Sequence, residues 1–306
     1  MYNASTPNYD LNQQPIIGIF SQPLDSDFKH DPRFAGTDSY ILAAYVKFME
    51  AAGARVIPLI VNEPEDVMLE KLSKINGVLF PGGANDYVSY GRKIINHLKE
   101  VNDAGQFYPA WGTCLGFENL LIWASDRGTD ILERYSAHAI SLTLDFVVDP
   151  ESTRMFGPLG LDAYAYTTTP MTLNSHSYGV NPDSFTTDKA LSEFYRLTSV
   201  SYEPSTGKPF ATSIEAYDYP FYGTQFHPEK VLDLFTDNSG INHSWESIHY
   251  NRYFADQFMT FARQNTNTWG DYAEVQQVIV ANCRLVVTDT WGGEVYAFSS
   301  TEGCIP

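Results

Sequence analysis

The run Trp111-Gly112-Thr113-Cys114-Leu115-Gly116 sets a thiol between an apolar strand-like segment, FYPAWGT, and a helical one, LGFENLLIWAS. A side chain at a strained strand-to-helix turn is presented at the sheet edge, and glycines two residues to either side let neighbouring backbone approach without Cβ clashes. Such an elbow makes Cys114 a candidate nucleophile. The helix behind it is expected to lower the thiol pKa and to aim backbone N–H groups at a developing oxyanion. A buried structural cysteine fits the same six residues, so the elbow alone does not decide. The second half of a reaction centre is offered by Tyr222-Gly223-Thr224-Gln225-Phe226-His227-Pro228-Glu229. YPFYGTQF reads as a strand, and His227 falls at its end, where open α/β sheets hold their sites. There it could accept the thiol proton and return it to a leaving amine, with Glu229, two residues on, orienting and charge-stabilising the imidazole. A satisfied core or surface histidine is the plain alternative for His227 alone. Its joint occurrence with the cysteine elbow favours Cys–His–Glu chemistry.

These residues need a sheet to hold them. PIIGIF (15–20) is a β-branched apolar run, and SYILAAYVKFMEAAGA (39–54) carries Ile41, Ala44, Tyr45, Phe48 and Ala52 at helical spacing. ARVIPLIV (54–61) reads as a strand whose Pro58 argues for an edge or a strand end. Helical EDVMLEKLSKI (65–75), strand VLFPGG (78–83), a helix over about 90–104 and strand FYPAWGTC continue the alternation. Strands and helices at this spacing imply an α/β fold, a three-layer, mostly parallel sheet with helices on both faces. Beyond about 135 the segments ISLTLDFVVD, FYRLTSVSYEP and PFATSIEAYDYPFYGTQF alternate like antiparallel or mixed strands. A helix returns over about 247–264, with Tyr250, Phe254, Phe258 and Phe261 on one core-facing stripe. In the tail, VQQVIVANCRLVVTD and GEVYAFSS read as two further strands, a small C-terminal β addition. The expected division is an N-terminal extension (1–14), a catalytic domain (15–264) and a β-strand-containing tail (265–306).

Composition narrows the function classes. Nineteen Lys and Arg are scattered among 37 Asp and Glu, for a formal charge of −18, which excludes ordinary recognition of a phosphate backbone. No apolar run reaches the ~18 residues of a spanning helix, so no membrane insertion is expected. The opening residues, MYNASTPNYDLNQQP, are polar rather than signal-like, which fits either a cytosolic protein or a mature form after signal removal. Asn3-Ala4-Ser5 and Asn242-His243-Ser244 are sequons that point mildly to a secretory route. Cys283 and Cys304 remain after Cys114, and a bridge or two free thiols would both satisfy the count. The histidines and Cys283 lack metal-ligand spacing, so neither metal nor organic cofactor is expected.

The cysteine elbow, the downstream His-Pro-Glu and the glycine pair in FPGG (80–83) together resemble the class I glutamine-amidotransferase-like superfamily, whose fold is flavodoxin-like. Within it the chain is most similar to the γ-glutamyl hydrolases, in PIIGIF, YILAAYVKFMEAAGARVIPL (40–59), INGVLFPGG (75–83), YPAWGTCLGFENL (108–120) and YPFYGTQFHPEK (219–230). The resemblance spans about residues 15–264. It implies Cys114 as nucleophile, His227 as base, Glu229 as its orienting acid, and the N–H groups near Gly83 and of Leu115 as oxyanion donors. His176, in Asn174-Ser175-His176-Ser177, and Tyr45 and Glu118 match positions at or near the same cleft. The implied substrate is a small molecule, a poly-γ-glutamylated folate, and the implied setting a lysosomal, vacuolar or secreted homodimer. Phe226 stands where many relatives have Trp, ANDYVSYGRK and the region from about 133 to 170 match poorly, and the tail lies outside the resemblance. A glutaminase subunit feeding ammonia to a synthase, or a non-catalytic relative serving as a binding protein, are the rival readings.

Overall fold

All five residues of β1, Ile16–Phe20, are buried, as a continuous apolar run requires of a strand covered on both faces. In this computed structural model residues 11–84, 87–235, 240–288 and 293–304 are described. The Asn3 sequon and residues 1–10 of the expected N-terminal extension lie outside them. In chain order there follow β2 (Gln22–Pro23), α1 (Ser26–His30), β3 (Ser39–Leu42), α2 (Ala43–Ala51), β4 (Arg55–Leu59), α3 (Glu65–Leu72), β5 (Gly77–Phe80), α4 (Val88–Asp103), β6 (Ala110–Thr113) and α5 (Leu115–Ala124). The second half contains β7 (Leu132–Leu142), β8 (Asp145–Phe146), β9 (Thr172–Val180), β10 (Tyr195–Tyr202), β11 (Pro209–Ala216) and β12 (Phe221–Thr224). Helices Pro228–Asp233 and Trp245–Ala262 precede β13 (Leu285–Val287), β14 (Glu294–Ser299) and β15 (Gly303–Cys304).

The central sheet has the order β4-β1-β5-β6-β12-β11-β10-β8. From β4 to β12 neighbouring strands are parallel, and from β12 to β8 they are antiparallel. Pro58 sits on β4 at the outer edge, where its missing N–H costs no ladder bond. Alternate side chains of β1 enter two cores: Ile17 and Ile19 pack with Phe254 and Phe258, while Ile16 and Phe20 pack with Phe80 and Leu120. That division is the three-layer α/β arrangement read from the sequence.

Two readings are corrected, and the reading of the tail is extended. Ser39–Leu42 does not open a helix. It forms β3, paired antiparallel to β14 through Ser39↔Phe298 and Leu42↔Val295, and the helix begins at Ala43. Helical periodicity at Ile41 was mimicked by a wholly buried strand of four residues. The segment from Val275 is not a strand at its start: Asp271 caps a helix, Tyr272–Val278, by accepting from the Ala273 N–H, and strand geometry is confined to Leu285–Val287. The tail also does more than append: β13-β14-β3-β2, with β15 on β14, make one sheet shared by the two ends of the chain. Cys283 and Cys304 are bridged, closing that sheet's far side. A separate ribbon of β7 and β9, which brings Asn174 to His176 toward the sheet, had no clear signal before residue 140.

Candidate active site

β6 and β12 lie side by side in parallel register, Gly112 against Gly223 and Thr113 against Thr224, so their ends bring Cys114 and His227 to one edge of the sheet. The Cys114 N–H donates to the Thr224 carbonyl at 2.8 Å, tying the elbow to the strand that leads to His227. Cys114 has φ 52° and ψ −109°, a positive φ that a non-glycine residue adopts only under constraint. Its flanking glycines supply that constraint. A Cβ on Gly116 would come within 2.0 Å of the Phe80 carbonyl oxygen, and one on Gly112 within 2.5 Å of the Gly116 carbonyl oxygen. Only bare backbone lets β5, β6 and α5 approach closely enough to push the thiol into the cleft.

His227 Nδ1 lies 2.7 Å from Glu229 Oε1, both side chains buried, with the His227 N–H donating to the Leu173 carbonyl at 2.8 Å. With Nδ1 facing the carboxylate, Nε2 is the nitrogen left for the reacting atoms. Gly82 measures how close the site is: a Cβ there would sit 2.7 Å from His227 Cε1, 2.8 Å from the Tyr45 hydroxyl and 2.9 Å from Cys114 Cβ. Cys114, His227 and Tyr45 therefore converge on the glycine loop after β5.

Tyr45 is fully buried on α2. Its hydroxyl accepts from the Gly82 N–H at 2.7 Å and stands 3.4 Å from His227 Nδ1. The Gly82 donor is thereby spent, leaving the next amide, that of Gly83, as a candidate oxyanion donor from this loop. The Leu115 N–H points at the thiol and favours its charged form. Gln22, also fully buried, donates from Nε2 to the Gly82 carbonyl and packs where a Gly83 side chain would have to go. Glu118 is buried one turn beyond the nucleophile, accepts from Gln225 Nε2 at 3.0 Å, and has its pKa pushed up to about 8 by burial. His176 lies on β9 with Nδ1 2.7 Å from the Tyr178 carbonyl, Nε2 3.2 Å from Asn174 Oδ1 and its ring edge-on to Phe210; burial lowers its pKa to about 4. Its neighbour Ser175 is on the cleft wall.

One chemical expectation is reversed. Burial pushes the Cys114 thiol well above its ordinary range, Glu118 adds to the rise, and the opposing pull of Lys230 and the Leu115 N–H is smaller. Burial also depresses the His227 imidazole, with Lys230 reinforcing the effect against Glu229. Burial thus works against the helix start and favours the neutral thiol and the neutral imidazole, which suits attack coupled to proton transfer.

The cleft is walled by Tyr40 and Leu42 of β3, Gly82 to Ala84, Cys114, Ser175, His227 and Lys230, with Asp25, Ser26 and Asp27 alongside. Sequence reading missed Gln22, Tyr40, Leu42 and Lys230. Lys230 stood in the quoted FHPEK run, whereas Gln22 and Tyr40 reach the site only through pairing that no local pattern reveals. Among the described residues no group of three or more His, Cys, Asp or Glu could hold a metal, and no helix is long and apolar enough to cross a membrane.

A family model described as glutamine amidotransferase class-I matches residues 37–240. Gamma-glutamyl hydrolase 1 of Arabidopsis thaliana is 38% identical over 273 residues, an alignment covering 86% of this chain and 76% of that protein. Gamma-glutamyl hydrolase of Homo sapiens is 31% identical, with 90% of this chain and 86% of that one covered. Among solved structures, the Trypanosoma brucei CTPS glutaminase domain with bound acivicin superposes with a TM-score of 0.53 at 14% identity, over 84% of this chain and 96% of that chain, a likeness of fold.

Proposed function

The chain belongs to the class I glutamine amidotransferase family and, within it, to the γ-glutamyl hydrolases, and on that premise we propose that Cys114, His227 and Glu229 cleave γ-glutamyl bonds through a thioester. The observation that supports this most is the meeting of Cys114, His227 and Tyr45 around Gly82, with Glu229 on the far nitrogen of the imidazole. Cys114 Sγ attacks the carbonyl carbon of the γ-amide as its proton passes to His227 Nε2. The tetrahedral oxyanion accepts from the Gly83 and Leu115 N–H groups. Collapse breaks the C–N bond, His227 gives the proton to the departing amine, and a thioester to Cys114 remains. A water then loses its proton to His227 and attacks the thioester, releasing the γ-carboxylate and the thiol. Glu229 stabilises the imidazolium formed in each half and holds the tautomer.

The substrate class in this reading is a poly-γ-glutamylated folate. The bridged Cys283–Cys304 pair favours an oxidising compartment, hence a lysosomal, vacuolar or secreted protein, and a homodimer belongs to the same reading. A direct test is acyl-enzyme trapping: rapid acid quench of enzyme and a γ-glutamyl substrate should leave an acyl adduct on the Cys114 peptide in mass spectra, absent from Cys114→Ser. An adduct on no cysteine, with hydrolysis undiminished in Cys114→Ser, would overturn the mechanism.

A further inference from the structure

Gly82 is gripped at both of its polar backbone groups: its N–H donates to the Tyr45 hydroxyl at 2.7 Å, and its carbonyl accepts from Gln22 Nε2. The bond from Gln22 also sets the direction of the next amide. In a trans peptide the C=O of one residue and the N–H of the next share a plane and point opposite ways, and no described peptide bond is cis. Drawing the Gly82 carbonyl toward Gln22 therefore turns the Gly83 N–H away from Gln22. Gly83 lies on the wall of the Cys114 cleft, and its N–H makes no hydrogen bond among the described residues. Nothing intrinsic to two consecutive glycines holds that plane: a half-turn changes only Gly82 ψ and Gly83 φ together, a rotation that a Cβ on either residue would restrict. Gln22 supplies the hold. It is fully buried, on the short strand β2 where it pairs with Tyr40 of β3. Its Oε1 has no partner among the described residues, so the bond to Gly82 is the one its side-chain amide makes there. That amide is packed against Gly83, where an added Cβ would fall 1.4 Å from Oε1 and 2.7 Å from Nε2.

Resting on the thioester reading above, we infer that Gln22 is a positioning residue of the oxyanion site: by holding the Gly82 carbonyl it keeps the Gly83 N–H turned toward the oxygen that becomes charged when Cys114 attacks. An oxyanion donor is effective where it is aimed beforehand, because turning it during the reaction would consume the stabilisation it supplies. A side-chain amide suits this task, since it fixes the peptide plane without adding a charge beside the thiol and the imidazole. The same role accounts for glycine at 83, where any side chain would push Gln22 off the Gly82 carbonyl. Tyr45 holds the preceding plane through the Gly82 N–H, so the two side chains together leave the Gly83 amide for substrate.

The test uses the full chain with Gln22→Met, which keeps the side-chain length and removes the donor, and Gln22→Glu, whose carboxyl donates to Gly82 only while protonated. On a γ-glutamyl substrate Gln22→Met should lose roughly 10- to 100-fold in kcat, somewhat less than the roughly 10²- to 10³-fold of deleting an oxyanion donor outright. KM should stay nearly unchanged, because the oxyanion exists only in the transition state. In Gln22→Glu burial and the carbonyl partner both favour the protonated carboxyl. Its kcat relative to wild type should therefore be nearly restored in mild acid and fall as rising pH ionises it. An aldehyde analogue of the glutamyl acyl group, whose addition to Cys114 Sγ places an oxygen at the same position, should bind Gln22→Met more weakly by the factor lost in kcat. Iodoacetamide, which forms no oxyanion, should alkylate Cys114 in Gln22→Met at the wild-type rate. Thermal melting reports on folding, and if Gln22→Met does not fold, the pH response of Gln22→Glu carries the test. An unchanged kcat in Gln22→Met, a loss confined to KM, alkylation slowed as much as kcat, or a Gln22→Glu that is impaired and unresponsive to pH would overturn the assignment. If Cys114→Ser hydrolyses the substrate as fast as wild type, the thioester reading itself falls, and this one with it.

Discussion

At Cys114 and His227, desolvation outweighs the local features that usually activate a thiol. The buried thiol is held up and the buried imidazole is held below its ordinary 6.5. A base works in its neutral form, so the acid limb of kcat/KM is expected below pH 6.5, with activity persisting into mildly acidic solution. Glu229 raises the imidazole pKa. In Glu229→Gln the acid limb should therefore move to still lower pH while kcat falls by about 10²- to 10⁴-fold, because the imidazolium loses its counter-charge. A pH–rate profile in which the limb moves upward would contradict the arrangement. Alkylation gives a second check. Iodoacetamide should modify Cys114 slowly at neutral pH in wild type and more slowly still in His227→Ala, since the imidazole must take the proton. Fast modification of both proteins would mean a free thiolate.

At the scale of elements, the site depends on close approach of β5, β6 and α5. Gly116→Ala would drive a methyl into the Phe80 carbonyl, so it should lower the melting temperature and the activity together, whereas Gly105→Ala, where no atom crowds the added Cβ, changes only an exposed positive-φ turn. The shared sheet makes a further expectation. Tyr40 and Leu42 of β3 line the cleft and β3 pairs with β14, so the bridge between Cys283 and Cys304, 21 residues apart, braces the cleft wall. Replacing both cysteines by serine should cost about 3 kcal/mol of stability, seen in chemical denaturation, and raise KM more than it lowers kcat. Much of this architecture was legible: the strand–helix alternation through Ala124, the edge position of Pro58, the elbow at Cys114 and the place of His227 all rest on short-range patterns. What escaped was non-local. Ser39–Leu42 is a strand only because residues 295–298 pair with it from the other end of the chain, and Gln22 reaches Gly82 only through that sheet. The depressed imidazole and raised thiol were equally out of reach, because burial is a property of the assembled site.

For the whole molecule, a charge of −18 would oppose entry of the anionic polyglutamate that the proposed function assigns as substrate. Mild acid reduces that repulsion while the buried imidazole stays neutral, so the optimum should fall on the acidic side, and added salt should lower KM for longer polyglutamates at neutral pH by screening. A KM independent of salt would show that the net charge plays no part in capture. The rival glutaminase reading is separated by substrate: free glutamine should be a poor substrate beside a γ-linked chain. The most direct single measurement is hydrolysis of a folyl pentaglutamate by wild type and Cys114→Ala in mildly acidic buffer, with products followed by chromatography. Release of glutamate or short γ-glutamyl chains by wild type and its loss in the variant is the expected result. Equal release by the two proteins would contradict a nucleophilic Cys114, and release by neither, with Cys114 still open to alkylation, would contradict the folate assignment.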